Sequence, residues 1–155
     1  MGVKLSPSEL LELLPQQKPF RYVDEILEVN ETMIRGRYTF REDEYFYQGH
    51  FPGNPITPGV ILLESMCQVG VVCLGIYLVG LELPPEEHRN WLTLFSDAEV
   101  EFSRSVLPGE TVEIVGELLF WRRRKLRARV TMTNEKGEVV ASTTASGIGV
   151  KNDAE

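Results

Sequence analysis

Between residues 61 and 83 the only charged or amide side chains are Glu64, Gln68 and Glu82; almost everything else is Leu, Ile, Val, Met, Cys or Gly. No β-strand is this long, and a helix apolar on every side has to be enclosed by something. Glu64 and Gln68 interrupt its first two turns and leave an uninterrupted apolar run over 69–81, short of the ~20 residues a bilayer requires. The reading is therefore a helix buried inside a protein core, not a membrane span. Gly70, Gly75 and Gly80 each weaken a helix by about 1 kcal/mol, so they are expected to mark places of close packing.

A helix of this kind needs a sheet or other helices around it, and the flanking sequence supplies strands. Strand-like runs fall at about 20–29 and 33–41 before it, and at about 91–105, 110–121, 126–133 and 138–149 after it. Turn signals separate them at Asn30-Glu31, Pro108-Gly109 and Asn134-Glu135-Lys136-Gly137. Near the start, Ser6-Pro7-Ser8-Glu9 forms a capping box ahead of Leu10, Leu11, Leu13 and Leu14, which predicts a short amphipathic helix. With 155 residues, 43% of them hydrophobic, and no linker or repeat, the chain reads as one domain over 1–155. The predicted class is α+β, with the long helix buried against the sheet.

Immediately before the helix lies Gly49-His50-Phe51-Pro52-Gly53-Asn54-Pro55-Ile56-Thr57-Pro58-Gly59-Val60. A proline at every third position fixes φ repeatedly and pushes each preceding residue to an extended conformation. Such a stiff loop suits holding His50, one of two histidines, in one place. A rigid turn with an incidental histidine is the plainer alternative. Thr57 is the expected N-cap, with Pro58 at the first helical position. Gly59 then offers an unpaired N–H at the positive end of the helix, with no side chain in the way. Glu64, amid Ile61, Leu62, Leu63, Met66 and Val69, is either a carboxylate pointing to water or a functional group placed among apolar neighbours.

The loop, followed by Pro58-Gly59-Val60 and Glu64-Ser65-Met66-Cys67-Gln68, resembles the signature of the (3R)-hydroxyacyl-[acyl-carrier-protein] dehydratases. Lys18-Pro19-Phe20-Arg21-Tyr22-Val23-Asp24 is similar to that family's first strand, and Val100-Glu101-Phe102-Ser103-Arg104-Ser105-Val106-Leu107-Pro108-Gly109-Glu110 to a later strand and turn. The likeness covers roughly residues 14 to 148. It implies a hotdog fold, one long helix wrapped by a curved antiparallel sheet. It also implies reversible dehydration of a 3-hydroxyacyl thioester on acyl carrier protein, in fatty acid synthesis or a related polyene, polyketide or lipid pathway. His50 and Glu64 would be the catalytic pair, meeting across a homodimer with two shared sites, often built further into a trimer of dimers. No cofactor or metal is implied. Glutamate at 64 favours a dehydratase over the bifunctional dehydratase-isomerases, which usually carry aspartate there.

In such a reaction His50 is the candidate base at C2, the Gly59 N–H the donor to the thioester oxygen, and Glu64 the acid or water-holder at C3. Burial would keep Glu64 protonated, whereas the helix terminus and a His50 cation would do the opposite, so a single-base mechanism stays open. Gln68, one turn after Glu64, is either its hydrogen-bond partner or a buried amide satisfied by backbone. Phe51 either shapes the substrate pocket or belongs to the core.

The rest bounds the setting. A net charge of −7 argues against nucleic acid as a partner. Within this acidic chain Arg122-Arg123-Arg124-Lys125, with Arg104, Arg127 and Arg129, concentrates positive charge. It is either a docking rim for an acidic carrier or a solvated hairpin tip. Cys67 and Cys73 lie on different helix faces with no second ligand at metal spacing, so they read as buried reduced thiols. With a polar N-terminus opening into a capped helix, this suggests a cytoplasmic enzyme. His88 reads as an exposed loop histidine. Gln16-Gln17-Lys18, Arg21-Tyr22 and Pro84-Pro85-Glu86-Glu87 depart from the family pattern. A hotdog thioesterase or a non-catalytic acyl-thioester-binding module are the alternatives; the first lacks this loop, and the second has no need of His50 and Glu64 together.

Overall fold

The structure, a computed structural model, describes residues 2–152. The capping box forms as expected. Ser6 Oγ accepts from Glu9 N at 3.2 Å and Glu9 Oε1 accepts from Ser6 N at 2.9 Å, which starts helix α1 (Pro7–Leu13). Its exit carbonyls are also served: Arg21 Nη2 and Gln17 Nε2 both donate to Leu14 O, and Arg21 Nε donates to Gln16 O. Arg21 thus replaces an apolar residue in order to close a helix end.

Six antiparallel strands follow the turn signals: β1 (Glu25–Val29), β2 (Met33–Thr39), β3 (Trp91–Phe102), β4 (Thr111–Arg122), β5 (Lys125–Asn134) and β6 (Val139–Lys151). Their order is β1-β2-β4-β5-β6-β3, which leaves β3 as an edge. Asn30 Oδ1 closes the first turn by accepting from the Thr32 and Met33 N–H groups. Gly109 and Gly137 adopt φ of +89° and +79°, where a side chain would be strained. The β4–β5 turn has no glycine: Arg123 and Arg124 themselves sit at φ 53° and 63°, as a two-residue primed turn demands.

The first strand is shorter than expected. Residues 20–23 leave the sheet where the central helix serves the Phe20 and Tyr22 backbone, and sheet bonding resumes with Asp24 N donating to Arg37 O. Tyr22 N donates to Gln68 Oε1 and Tyr22 O accepts from Ser65 Oγ, each at 2.8 Å.

The central helix spans Gly59–Glu82, as α2 (Gly59–Cys67), a π-helical stretch (Gln68–Cys73) and α3 (Leu74–Glu82). It is long and apolar enough to cross a membrane, but 72% of its most apolar window is buried inside this chain. It lies on the alternate residues that the strands bury, among them Ile34, Ile114, Leu126, Ala128, Val130 and Met132. A Cβ on Gly70 would stand 2.4 Å from Val130 Cγ2, and one on Gly116 would stand 2.8 Å from Gly70 Cα. The helix therefore touches the sheet backbone-to-backbone at its widened turn. Gly80 is equally confined by Leu5, but Gly75 is not, its nearest neighbour being 3.8 Å away. Close packing holds at two of the three glycines; the third borders a cavity. Cys67 and Cys73 are free and buried, and burial pushes both thiols up to about 12. This is the hotdog arrangement.

Candidate active site

The loop before the helix is held by its own backbone. His50 N donates to Phe46 O, Ile56 N donates to His50 O at 3.0 Å, and Phe51 and Asn54 exchange both backbone bonds across a turn at Gly53. Thr57 is not the N-cap. Its N–H donates to Val106 O and its hydroxyl lies 2.6 Å from Tyr47 Oη, so Thr57 ties the loop to its surroundings while Pro58 takes the cap position. With no side-chain cap at the helix start, no hydrogen bond takes the Gly59 N–H among the described residues.

His50 is half-buried. Its Nδ1–H donates to Ile56 O at 2.8 Å, which leaves Nε2 as the ring's proton acceptor. Phe51, exposed, stacks on the imidazole at 3.9 Å with the rings 25° apart. Its contact is with His50, not with the core.

Glu64 meets an amide. Gln68 Nε2 donates to Glu64 Oε2 at 2.8 Å and also to Phe20 O, while Gln68 Oε1 accepts from Tyr22 N. Both readings of Gln68 therefore hold at once: it is a backbone-satisfied buried amide and the partner of the carboxylate. Burial raises the Glu64 carboxyl above the usual carboxylate range, with the Gln68 hydrogen bond pulling the other way. Within one chain, burial outweighs the Gln68 hydrogen bond.

Gly59 lies under an aromatic ring. A Cβ there would stand 3.0 to 3.2 Å from the Phe102 ring carbons, so position 59 tolerates no side chain without moving that ring. Phe102 was legible only as part of a strand; the alternation Ala98, Val100, Phe102 is the signal that puts it on the helix side. Within one chain His50 and Glu64 do not meet. Among the described residues no hydrogen bond, ion pair or electrostatic contact joins them.

The basic cluster divides. Arg104 pairs with Glu138 at 3.1 Å beside the β5–β6 turn, at the opposite end of the sheet from the β4–β5 tip. Arg124 is no free cation either: it pairs with Glu82, its guanidinium lies 5.2 Å from the Trp91 ring, and its carbonyl accepts from Gly149 N. Arg127 pairs with Asp97. Arg122 and Arg123 remain exposed at the tip. His88 also corrects its expectation. It is 7% exposed, and Nε2–H donates to Leu83 O, one of the carbonyls a helix end leaves unpaired. A histidine shortly after a predicted helix exit was the available signal.

Residues 14–144 match the family model described as a FabA-like domain. The chain is 39% identical over 136 residues to the 3-hydroxyacyl-[acyl-carrier-protein] dehydratase FabZ of Chloroflexus aggregans, covering 84% of this chain and 88% of that one. It is 37% identical over 139 residues to the FabZ of Acetivibrio thermocellus, covering 88% and 89%. Among solved structures, the dehydratase heterocomplex ApeI:P of Xenorhabdus doucetiae aligns with TM-score 0.71 at 14% identity over 94% of this chain and 92% of that one. A thioesterase of Haemophilus influenzae aligns with TM-score 0.68 at 12% identity over 99% and 96%. At such identities the two structures share the fold with this chain and carry nothing finer.

Proposed function

The chain belongs to the FabA-like family, and from that premise we propose that it reversibly dehydrates (3R)-3-hydroxyacyl thioesters on acyl carrier protein to trans-2-enoyl thioesters in fatty acid or related lipid biosynthesis. His50 Nε2 takes the C2 proton. The charge that develops on the thioester oxygen is met by the Gly59 N–H at the positive end of the helix. The C3 hydroxyl leaves as water on receiving a proton from Glu64, a role that the upward push of burial on this carboxyl favours. The observation that carries the reading is the commitment of His50 Nδ1–H to a backbone carbonyl, which leaves Nε2 free to act as the base.

The enzyme works as a homodimer in which His50 of one copy faces Glu64 of the other. Two features support this. His50 and Glu64 have no contact within a chain. Strand β3 is a free edge, and Leu94, Phe95 and Phe102 on it and Val60 beside the helix start are exposed apolar groups. A trimer of dimers is the larger assembly considered. The whole chain acts as one hotdog unit in the cytoplasm, in keeping with its two free buried thiols. The carrier approaches Arg122 and Arg123 at the exposed tip.

The test follows the absorbance of the conjugated enoyl thioester with crotonyl and 3-hydroxybutyryl carrier substrates. The unaltered protein should interconvert them, and His50→Ala and Glu64→Ala should each lower turnover by about 10²-fold or more. Mixing the two impaired variants should restore part of it, because each mixed dimer regains one complete site. Release of free thiol in place of enoyl absorbance would make the protein a thioesterase.

A further inference from the structure

At the far end of the central helix Val71, Gly75 and Val79 face Trp91, Thr93, Trp121, Arg124 and Leu126 around a cavity of about 20 Å³. That is room for a water molecule or the last atoms of a chain. Its wall is polar in one respect: Trp91 Nε1 and Arg124 Nε are buried donors without a hydrogen-bond partner among the described residues. The neighbouring donors are spoken for, Trp121 Nε1–H by Glu82 Oε2 at 3.0 Å and His88 Nε2–H by Leu83 O at 2.8 Å. Two unpaired N–H groups on residues that line one cavity call for an oxygen.

One row of β3 residues spans the distance between the Gly59 end of the helix and this cavity. Phe95, Ala98, Val100 and Phe102 of β3 pair with Gly147, Ala145, Thr143 and Ala141 of β6; the β6 residues are buried on the helix side, whereas Phe95, Ala98 and Phe102 are exposed along the free edge. The β3 row therefore shares the helix face of the sheet with them. At one end Phe102 covers Gly59; at the other, Thr93 borders the cavity. From Gly59 the helix reaches Val71 and Gly75 after about 18 and 24 Å, at 1.5 Å per residue.

We propose that the cavity is the terminus of the acyl-binding path and takes a chain that ends in an oxygen, a terminal hydroxyl or carbonyl accepting from Trp91 Nε1–H and Arg124 Nε–H. The proposal rests on the dehydratase reading and names its substrate class: long-chain acyl thioesters oxygenated at the far end. A terminal methyl would leave both donors unpaired.

Both tryptophans of the chain, Trp91 and Trp121, line the cavity, so intrinsic fluorescence reports on its contents. The experiment titrates the intact protein with hexadecanoyl-coenzyme A and with ω-hydroxyhexadecanoyl-coenzyme A. The hydroxylated chain should bind about tenfold more tightly, as one or two hydrogen bonds to buried donors allow. Trp91→Phe, read through Trp121, should shrink that preference to about threefold or less. Equal affinities, no fluorescence response to either chain, or a preference that survives Trp91→Phe would each overturn the proposal. Turnover of the crotonyl thioester by the unaltered protein reports separately on the dehydratase reading.

Discussion

The two ends of the central helix each carry a glutamate, and each glutamate is met differently. Glu64, near the amino end, is half-buried and receives a neutral amide, Gln68, that is itself anchored to two backbone groups. Glu82, at the carboxyl end, lies at the surface and receives an indole N–H and the Arg124 guanidinium. A neutral donor positions a carboxyl group while leaving burial to push its pKa upward; an arginine clamp instead fastens the β4–β5 hairpin to the helix. One element thus carries the proposed reactive carboxyl at one end and a structural fastening at the other. The distinction lies in the partner, not in the glutamate.

The heaviest blow to the amino end is His50→Ala, expected to lower turnover by about 10²- to 10⁴-fold in the enoyl absorbance assay. A residual rate within tenfold of the unaltered protein would remove His50 from the proton path. Midway along the helix, Gly70→Ala should cost about 1–3 kcal/mol in a denaturant titration, because its methyl would meet Val130 at a non-bonded distance no core accepts. Breaking the clamp with Glu82→Gln should cost about 1 kcal/mol or less, since that pair is partly exposed. Gly75→Ala should act in the opposite sense to Gly70→Ala and stabilise by about 0.5–1 kcal/mol, since a methyl there meets nothing closer than 3.8 Å. If both alanines shift the midpoint alike, the difference drawn between the two positions is wrong.

The smallest effect sharpens the comparison most. The Glu64 carboxyl is raised in the folded state, so the native protein binds this proton more tightly than the unfolded chain does. Its stabilising contribution is complete below the unfolded value and is lost as pH rises through the folded one. Glu64→Gln has no proton to lose. Its melting temperature should therefore gain on the unaltered protein between mildly acidic and neutral pH. Paired melts showing a constant gap would mean that burial does not govern this carboxyl.

Much of this was legible in sequence because it depends on short-range rules. Ser6 and Glu9 cap each other across three residues, and the turns at Asn30, Gly109 and Gly137 are local in the same sense. The loop holding His50 was legible as stiff because its prolines act on neighbouring residues. What escaped depends on partners far along the chain. Residues 20–23 looked like strand until Gln68 and Ser65 supplied hydrogen bonds from the helix. Thr57 has the chemistry of a cap but is drawn instead to Tyr47 and Val106. Gly75 is spelled like Gly70, and only the opposing wall separates them. The arginines near Arg124 formed one cluster in one dimension and divide between two ends of the sheet in three.

The free edge of β3 has a consequence in mass action. A twelve-residue strand with unpaired backbone groups and exposed Leu94, Phe95 and Phe102 gains its remaining contacts only from another molecule. In the proposed homodimer, thermal stability would be a property of the solution as much as of the sequence: dilution would lower the melting temperature, and abundance in the cell would set the fraction that is folded. Loss of expression and a weakening substitution on β3 would then look alike, each thinning the population of completed sites.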